Sequence, residues 1–203
     1  MPQFGLRGAM VAAYHNNQGT VTYDAPIPSG CAISVNLELQ FAEARLYACD
    51  SLAEYLRECI GGNITFGAKY FPQAAQLLMF GMGTKSRNVS YTPAGASASV
   101  SATVTSVVTS ANDSAAYVGF ACYAPDMVDG VRKWTAFFVA KAKFSPPSYV
   151  LQTKGETITF QTPQTVGAFL PDDTTGMAIQ EVAICDSEAE AKAWCAAVFP
   201  QGA

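Results

Sequence analysis

The sequence predicts a mainly β domain, an antiparallel barrel or sandwich with one or two α-helices. Three observations predict it. Long stretches alternate apolar and polar residues with a period of two, as where Cys31, Ile33, Val35, Leu37, Leu39 and Phe41 are set against Ser34, Asn36, Glu38 and Gln40. Turn-forming steps separate these stretches, among them Asn16-Asn17-Gln18-Gly19, Asp129-Gly130 and Pro171-Asp172-Asp173. Helical periodicity is confined to two short segments.

Taken in order, Ala9 to Tyr14 reads as a first strand and Thr20 to Tyr23 as its return. The alternation from Cys31 to Phe41 makes the next strand. After Ala42-Glu43 its apolar parity flips to Ala44 and Leu46, which predicts a bulge or a change of direction. Leu52 to Ile60, a Gly61-Gly62 turn and the alternating Ile64, Phe66, Ala68 and Tyr70 then read as a hairpin. Pro72 to Phe80 is the first helix, with proline in its opening turn and Gly81 and Gly83 to stop it. Residues 84–114 are rich in Ser, Thr and Ala and form an inserted loop or hairpin of weak register.

Val118, Phe120 and Cys122 alternate as another strand, Pro125 to Gly130 turn the chain, and Trp134 to Phe144 return on one parity until Pro146-Pro147 ends them. From Glu156 onward, Ile158, Phe160, Val166, Ala168 and Leu170 form an apolar parity against Thr157, Thr159, Gln161 and Thr165. Ala178 to Ile184 is the last strand. A capping box at Ser187 and Glu190 opens a C-terminal helix over 186–199, whose apolar stripe is Ala191, Trp194, Cys195 and Val198.

Residues 1–203 read as a single domain, long enough for one core and with no Gly/Pro/Ser linker to divide it. Half the residues are hydrophobic and only 14% are charged, a balance that expects part of the surface to be buried against other chains. A net charge of -4 argues against tight nucleic-acid binding, which relies on Lys and Arg neutralising phosphates. No apolar run approaches a membrane span or a signal h-region, so the expectation is a soluble protein made in the cytoplasm with no membrane partner. Its six cysteines lack paired metal-binding spacing and read as buried free thiols, with disulfides or a zinc site as the alternatives.

No catalytic constellation and no cofactor site is expected. Gly81 to Ser86 lacks the Gly-Lys-Ser/Thr step of a phosphate loop, and Gly95 to Ser99 lacks the last glycine of a nucleophile elbow. Asp126 and Asp129 do not have calcium-loop spacing. A hydrolase built on His15, Asp172 and Asp173 is the weakest alternative. A long-stranded chain with few charges and bland strand faces suits sheets completed by a neighbour.

Particular stretches resemble the major tail proteins, or tail-tube proteins, of long-tailed bacteriophages and prophages. They are Gly5-Leu6-Arg7, the block from Gly30 to Gly67 with Ala42-Glu43-Ala44, Leu46-Tyr47-Ala48, Glu54, Glu58 and Ile64 to Gly67, and the string from Tyr149 to Pro163. The resemblance spans residues 5–170 with gaps. It departs at Cys49, where an acidic residue is usual, at Cys59, where an aromatic is, and in a longer segment from Thr84 to Ser106.

The resemblance implies a virion protein, assembled in the host bacterial cytoplasm, that forms hexameric rings stacked into a tube for genome ejection. Its partners would be copies of itself, the tape-measure, tail-terminator and tail-tip or baseplate proteins, and phage DNA passing without specific binding. Ser34, Asn36, Glu38, Gln40, Thr157, Thr159 and Gln161 are candidates for the lumen, with the outer surface as their alternative. Glu43, Arg45, Tyr47, Asp50, Glu54, Arg57 and Glu58 are candidate ring contacts, on a segment that forms either an arm reaching an adjacent ring or an ordinary core hairpin. A secretion-system tube protein has a similar architecture. From another class, a β-sandwich receptor- or carbohydrate-binding module would draw on Tyr47, Tyr55, Tyr70 and Tyr91.

Overall fold

A computed structural model describes residues 5–153 and 160–201. In chain order the elements are β1 (Arg7–Asn17), β2 (Thr20–Tyr23), β3 (Ile27–Pro28), β4 (Ala32–Ala48), β5 (Ser51–Ala68), α1 (Gln73–Phe80), β6 (Gly83–Tyr91), β7 (Val100–Val108), β8 (Val118–Val128), β9 (Val131–Phe144), β10 (Gln164–Leu170), β11 (Gln180–Cys185) and α2 (Glu188–Ala197). The protein is mainly β with two helices, and its named strands pair antiparallel.

The main sheet runs β2-β1-β8-β9-β10-β5-β4, with β11 beside β9 and β3 beside β1; β6 and β7 form a separate two-stranded ribbon. Its end strands do not meet, so no closed barrel forms among the described residues. The sheet instead folds over itself. One core fills the space between β1, β8 and β9 on one side and β5, β10 and α1 on the other, around Val11, Phe66, Met79, Phe80, Phe120 and Phe169. A second core lies on the opposite face of β1, β8 and β9, where Tyr23, Trp134 and Phe138 meet Ala191, Cys195 and Phe199 of the C-terminal segment. Every residue of β8 from Val118 to Asp126 is consequently buried. The alternation of Val118, Phe120 and Cys122 lapses in a strand covered on both faces, so the expected turn from Pro125 begins too early and β8 runs on to Val128. Pro125 is accommodated because β1 stops pairing at Tyr123, leaving one side of β8 as an edge.

The helices end as their sequences dictate. Gly81 adopts the left-handed conformation after α1 and its N–H donates to the Leu77 carbonyl. At α2 the Ser187 hydroxyl accepts from the Glu190 N–H, while the Glu190 carboxylate accepts from the Asp186 N–H at 2.8 Å, one residue upstream of the usual capping box.

Three sequence expectations are corrected. Gly61-Gly62 is not a turn: β5 runs unbroken through it, and the hairpin reverses at Cys49-Asp50, both at positive φ. The glycines serve close approach. A Cβ on Gly62 would lie 2.2 Å from the Phe169 ring and 2.3 Å from the Glu38 carbonyl oxygen, and Gly61 sits at φ 137° beside a bulge at Ile60. Second, the parity of the segment leading to Leu170 is reversed in β10. Thr165 and Phe169 point inward, and Val166, Ala168 and Leu170 outward. Thr165 is buried without penalty because its hydroxyl donates to the Ser145 carbonyl at 2.6 Å. Third, the hairpin alternative for residues 84–114 is the one that forms, but its register is not weak: β6 and β7 pair without a break from Gly83 opposite Val108 to Tyr91 opposite Val100.

The β10–β11 connection is pinned by Asp173, whose carboxylate accepts from Lys141 Nζ at 2.7 and 2.9 Å and from the Tyr14 hydroxyl at 2.7 Å. Lys141, and then Tyr14, hold the Asp173 carboxyl below its ordinary pKa, and burial next to Asp173 pushes the Tyr14 phenol up to about 12. A lowered carboxyl pKa favours the folded state above the ordinary carboxyl range, and that contribution is lost as pH falls through the lowered value. Lys141→Ala should raise the Asp173 pKa in an NMR titration. Phe169→Ala, which empties the site packed against Gly62, should cost about 3–5 kcal/mol in urea unfolding.

Candidate assembly surface

Strands β4 and β5 outrun the core. Val35 and Leu37 still pack against it, but every residue of β4 from Leu39 to Ala48 is exposed, as is β5 from Ser51 to Glu58. From Phe41 opposite Cys59 to Ala48 opposite Ser51 the two strands pair only with each other over eight residue pairs, about 27 Å of ribbon. The parity flip at Ala42 marks this departure. The bulge it predicts exists, but in the partner strand, at Ile60.

Directly opposed residues share a face, so the register sorts the ribbon's side chains. One face carries Phe41, Glu43, Arg45, Tyr47, Tyr55 and Arg57. It is closed by its own contacts: Arg57 lies 3.9 Å over the Phe41 ring, Arg45 lies 5.6 Å over Tyr55, and Glu43 pairs with both arginines at 3.4 and 3.5 Å. Hydrogen bonding to Glu43 also raises the Tyr55 phenol above its ordinary pKa. The other face carries Ala42, Ala44, Leu46, Glu54, Leu56 and Glu58. Leu46 and Leu56 are 57% and 58% exposed there, rising beside a trough floored by alanine.

The candidate ring contacts therefore divide. Glu43, Arg45, Tyr47 and Arg57 share the closed face, Glu54 and Glu58 share the open one, and Asp50 is in the turn. Leu46, Leu52 and Leu56 are not among the candidates the sequence names for this surface; the flipped parity at Ala44 and Leu46 is a signal for Leu46 alone. Nor are the cations of the second ribbon, Lys85 and Arg87, among them.

At the arm's root, Ser34, Asn36, Glu38 and Gln40 all face outward from the same side of β4. Their rows continue across β5 and β10 as Asn36-Thr65-Val166 and Glu38-Asn63-Ala168, the latter reaching Lys143. Asn36 Nδ2 donates to Glu38 Oε1 at 2.9 Å. These rows line an open groove of about 620 Å³. Gln161 is half-buried in the segment before β10 rather than in this face, while Thr157 and Thr159 lie outside the described residues.

The remaining polar groups are engaged locally. His15 Nε2 stands 3.0 Å from Asp24, and Asp172 accepts from the Thr174 hydroxyl. Asp126, fully buried, accepts from the Thr135 hydroxyl and the Met127 N–H. Among the described residues no three His, Cys, Asp or Glu side chains gather as a metal site requires, and no helix is long and apolar enough to cross a membrane. Tyr47 and Tyr55 share the arm, whereas Tyr70 follows β5 and Tyr91 ends β6.

No protein-family model matches the sequence, and no curated protein matches it.

The cysteines report on this division between core and arm. Burial pushes the Cys122 and Cys195 thiols up to about 12, so both are un-ionised at pH 8, whereas Cys31 and Cys49 are exposed, which corrects the expectation of buried thiols at those two positions. A chromogenic disulfide reagent at pH 8 should modify Cys31 and Cys49 promptly, and Cys122 and Cys195 only once denaturant unfolds the domain.

Proposed function

We propose that this protein is a self-assembling structural subunit, the major tail-tube protein of a long-tailed bacteriophage, forming hexameric rings that stack around a channel for genome ejection. The observation that carries the proposal is the β4–β5 arm. An isolated two-stranded ribbon is marginal in water, and this one leaves Leu46, Tyr47, Leu52, Tyr55 and Leu56 exposed far from either core. Contact with a second copy would cover those side chains and the free edge of β4. A head-to-tail contact of this kind closes into a ring when the rotation between subunits allows it.

The outward rows beginning at Ser34, Asn36, Glu38 and Gln40 suit a channel wall. Apart from Val166 and Ala168 they are polar, and Glu38 and Lys143 are the charges in them, so they give DNA little phosphate anchorage. In such a tube the tape-measure protein would occupy the channel before DNA, and terminator and tip proteins would close its ends.

Negative-stain electron microscopy and light scattering across a concentration series test the reading. Rings or striated tubes with a stain-filled channel are expected. A variant in which residues 43–57 are replaced by a short turn should keep the fold by circular dichroism and remain monomeric. Wild-type protein that stays monomeric throughout the series, or an arm-less variant that assembles equally well, would overturn the proposal.

A further inference from the structure

The β6–β7 ribbon presents a face that complements the open face of the arm. By register, Lys85, Arg87, Val89, Tyr91, Val100 and Val104 point the same way, two cations among apolar side chains with no acid between them. Its opposite face is uncharged and tied by side-chain bonds, Ser86 to Thr105 at 3.0 Å and Thr103 to Asn88 at 2.8 Å. Val107, on that opposite face, packs against the first core and so turns the cationic face outward. The arm's open face is the reverse in sign: Glu54 and Glu58 among Ala42, Ala44, Leu46 and Leu56, with no cation.

All four charged residues are exposed, and no ion pair among the described residues engages any of them within the chain. Each ribbon therefore offers an apolar surface rimmed by one sign of charge, and the complement of each lies on the same molecule.

We infer that the acidic open face of the β4–β5 arm docks on the cationic face of the β6–β7 ribbon of a second copy of this chain. Leu46 and Leu56 pack among Val89, Val100 and Val104, and Glu54 and Glu58 meet Lys85 and Arg87. The carboxylates stand about 14 Å apart along β5 and the cations about 7 Å apart along β6, a difference that long Lys and Arg stems crossing at an angle can span. Apolar area supplies the attraction, and charge sets the partner and the register. The inference rests on the self-assembly proposed above and names the surfaces that carry it.

Charge reversal on the full chain separates the two ideas. Sedimentation velocity over a concentration series would compare wild type, E54K/E58K, K85E/R87E, an equimolar mixture of the two variants, and E54Q/E58Q, with circular dichroism to establish that each is folded. Each reversed variant alone should need about tenfold more protein to half-assemble, because exposed pairs become like-charge contacts. The mixture should regain wild-type association, since each variant's arm then faces an opposite charge on the other. E54Q/E58Q should fall between wild type and E54K/E58K and lose its sensitivity to salt. Wild type that assembles while the reversals have no effect, or while the mixture fails to recover, overturns this pairing and leaves self-assembly standing. Wild type and mixture that both remain monomeric overturn the two together.

Discussion

The structure depends on burying three strands on both faces. Because β1, β8 and β9 have the β5, β10 and α1 layer on one side and the C-terminal helix on the other, the domain obtains two cores from one set of strands. Tyr23 shows how tightly the layers are joined: its ring meets Phe138 and Phe199 edge-on, and its hydroxyl donates to the Ala140 carbonyl at 2.8 Å. Burial raises its phenol pKa well above the ordinary value, so the group stays protonated in the fold.

A core so concentrated frees other segments from packing duty. The distal halves of β4 and β5 and nearly all of β6 can therefore be chosen for surfaces they present rather than for interior they fill. This explains a composition that is half hydrophobic in a domain whose arms are largely exposed. Part of that hydrophobicity lies in the cores. The rest lies along ribbons whose backbone is satisfied only by the paired strand, which is the arrangement in which one more sheet contributes most.

The fold class was legible in the sequence because alternation survives wherever a strand has one face covered, as in the first half of β4. It failed where that condition failed. β8, covered on both faces, reads as an apolar run, and β10 reads backwards because a buried threonine looks polar until its partner, the Ser145 carbonyl, is known. Gly61-Gly62 misled for a related reason. Glycine marks both turns and close approach, and the Phe169 ring that demands it comes from a distant part of the chain. The candidate surface was half legible: the flipped parity after Ala42 announced that the strand changes surroundings, and the charged positions on the arm could be named. Their division between a closed and an open face depends on register, fixed by the Cys49-Asp50 reversal and the bulge at Ala53, with a second bulge at Ile60 where the arm leaves the sheet, and the residue types specify none of these.

The connection between β6 and β7, residues 92–99, is exposed along nearly its whole length, and a Cβ on its Gly95 would meet nothing within 4 Å. Its ends are already held together by the ribbon's register, so lengthening it costs only loop-closure entropy, roughly 0.6 kcal/mol for each doubling of length. A foreign peptide inserted there would sit at the tip of the β6–β7 ribbon, clear of both cores. The ribbon's tip is thus a graft site whose occupancy the folding equilibrium scarcely registers.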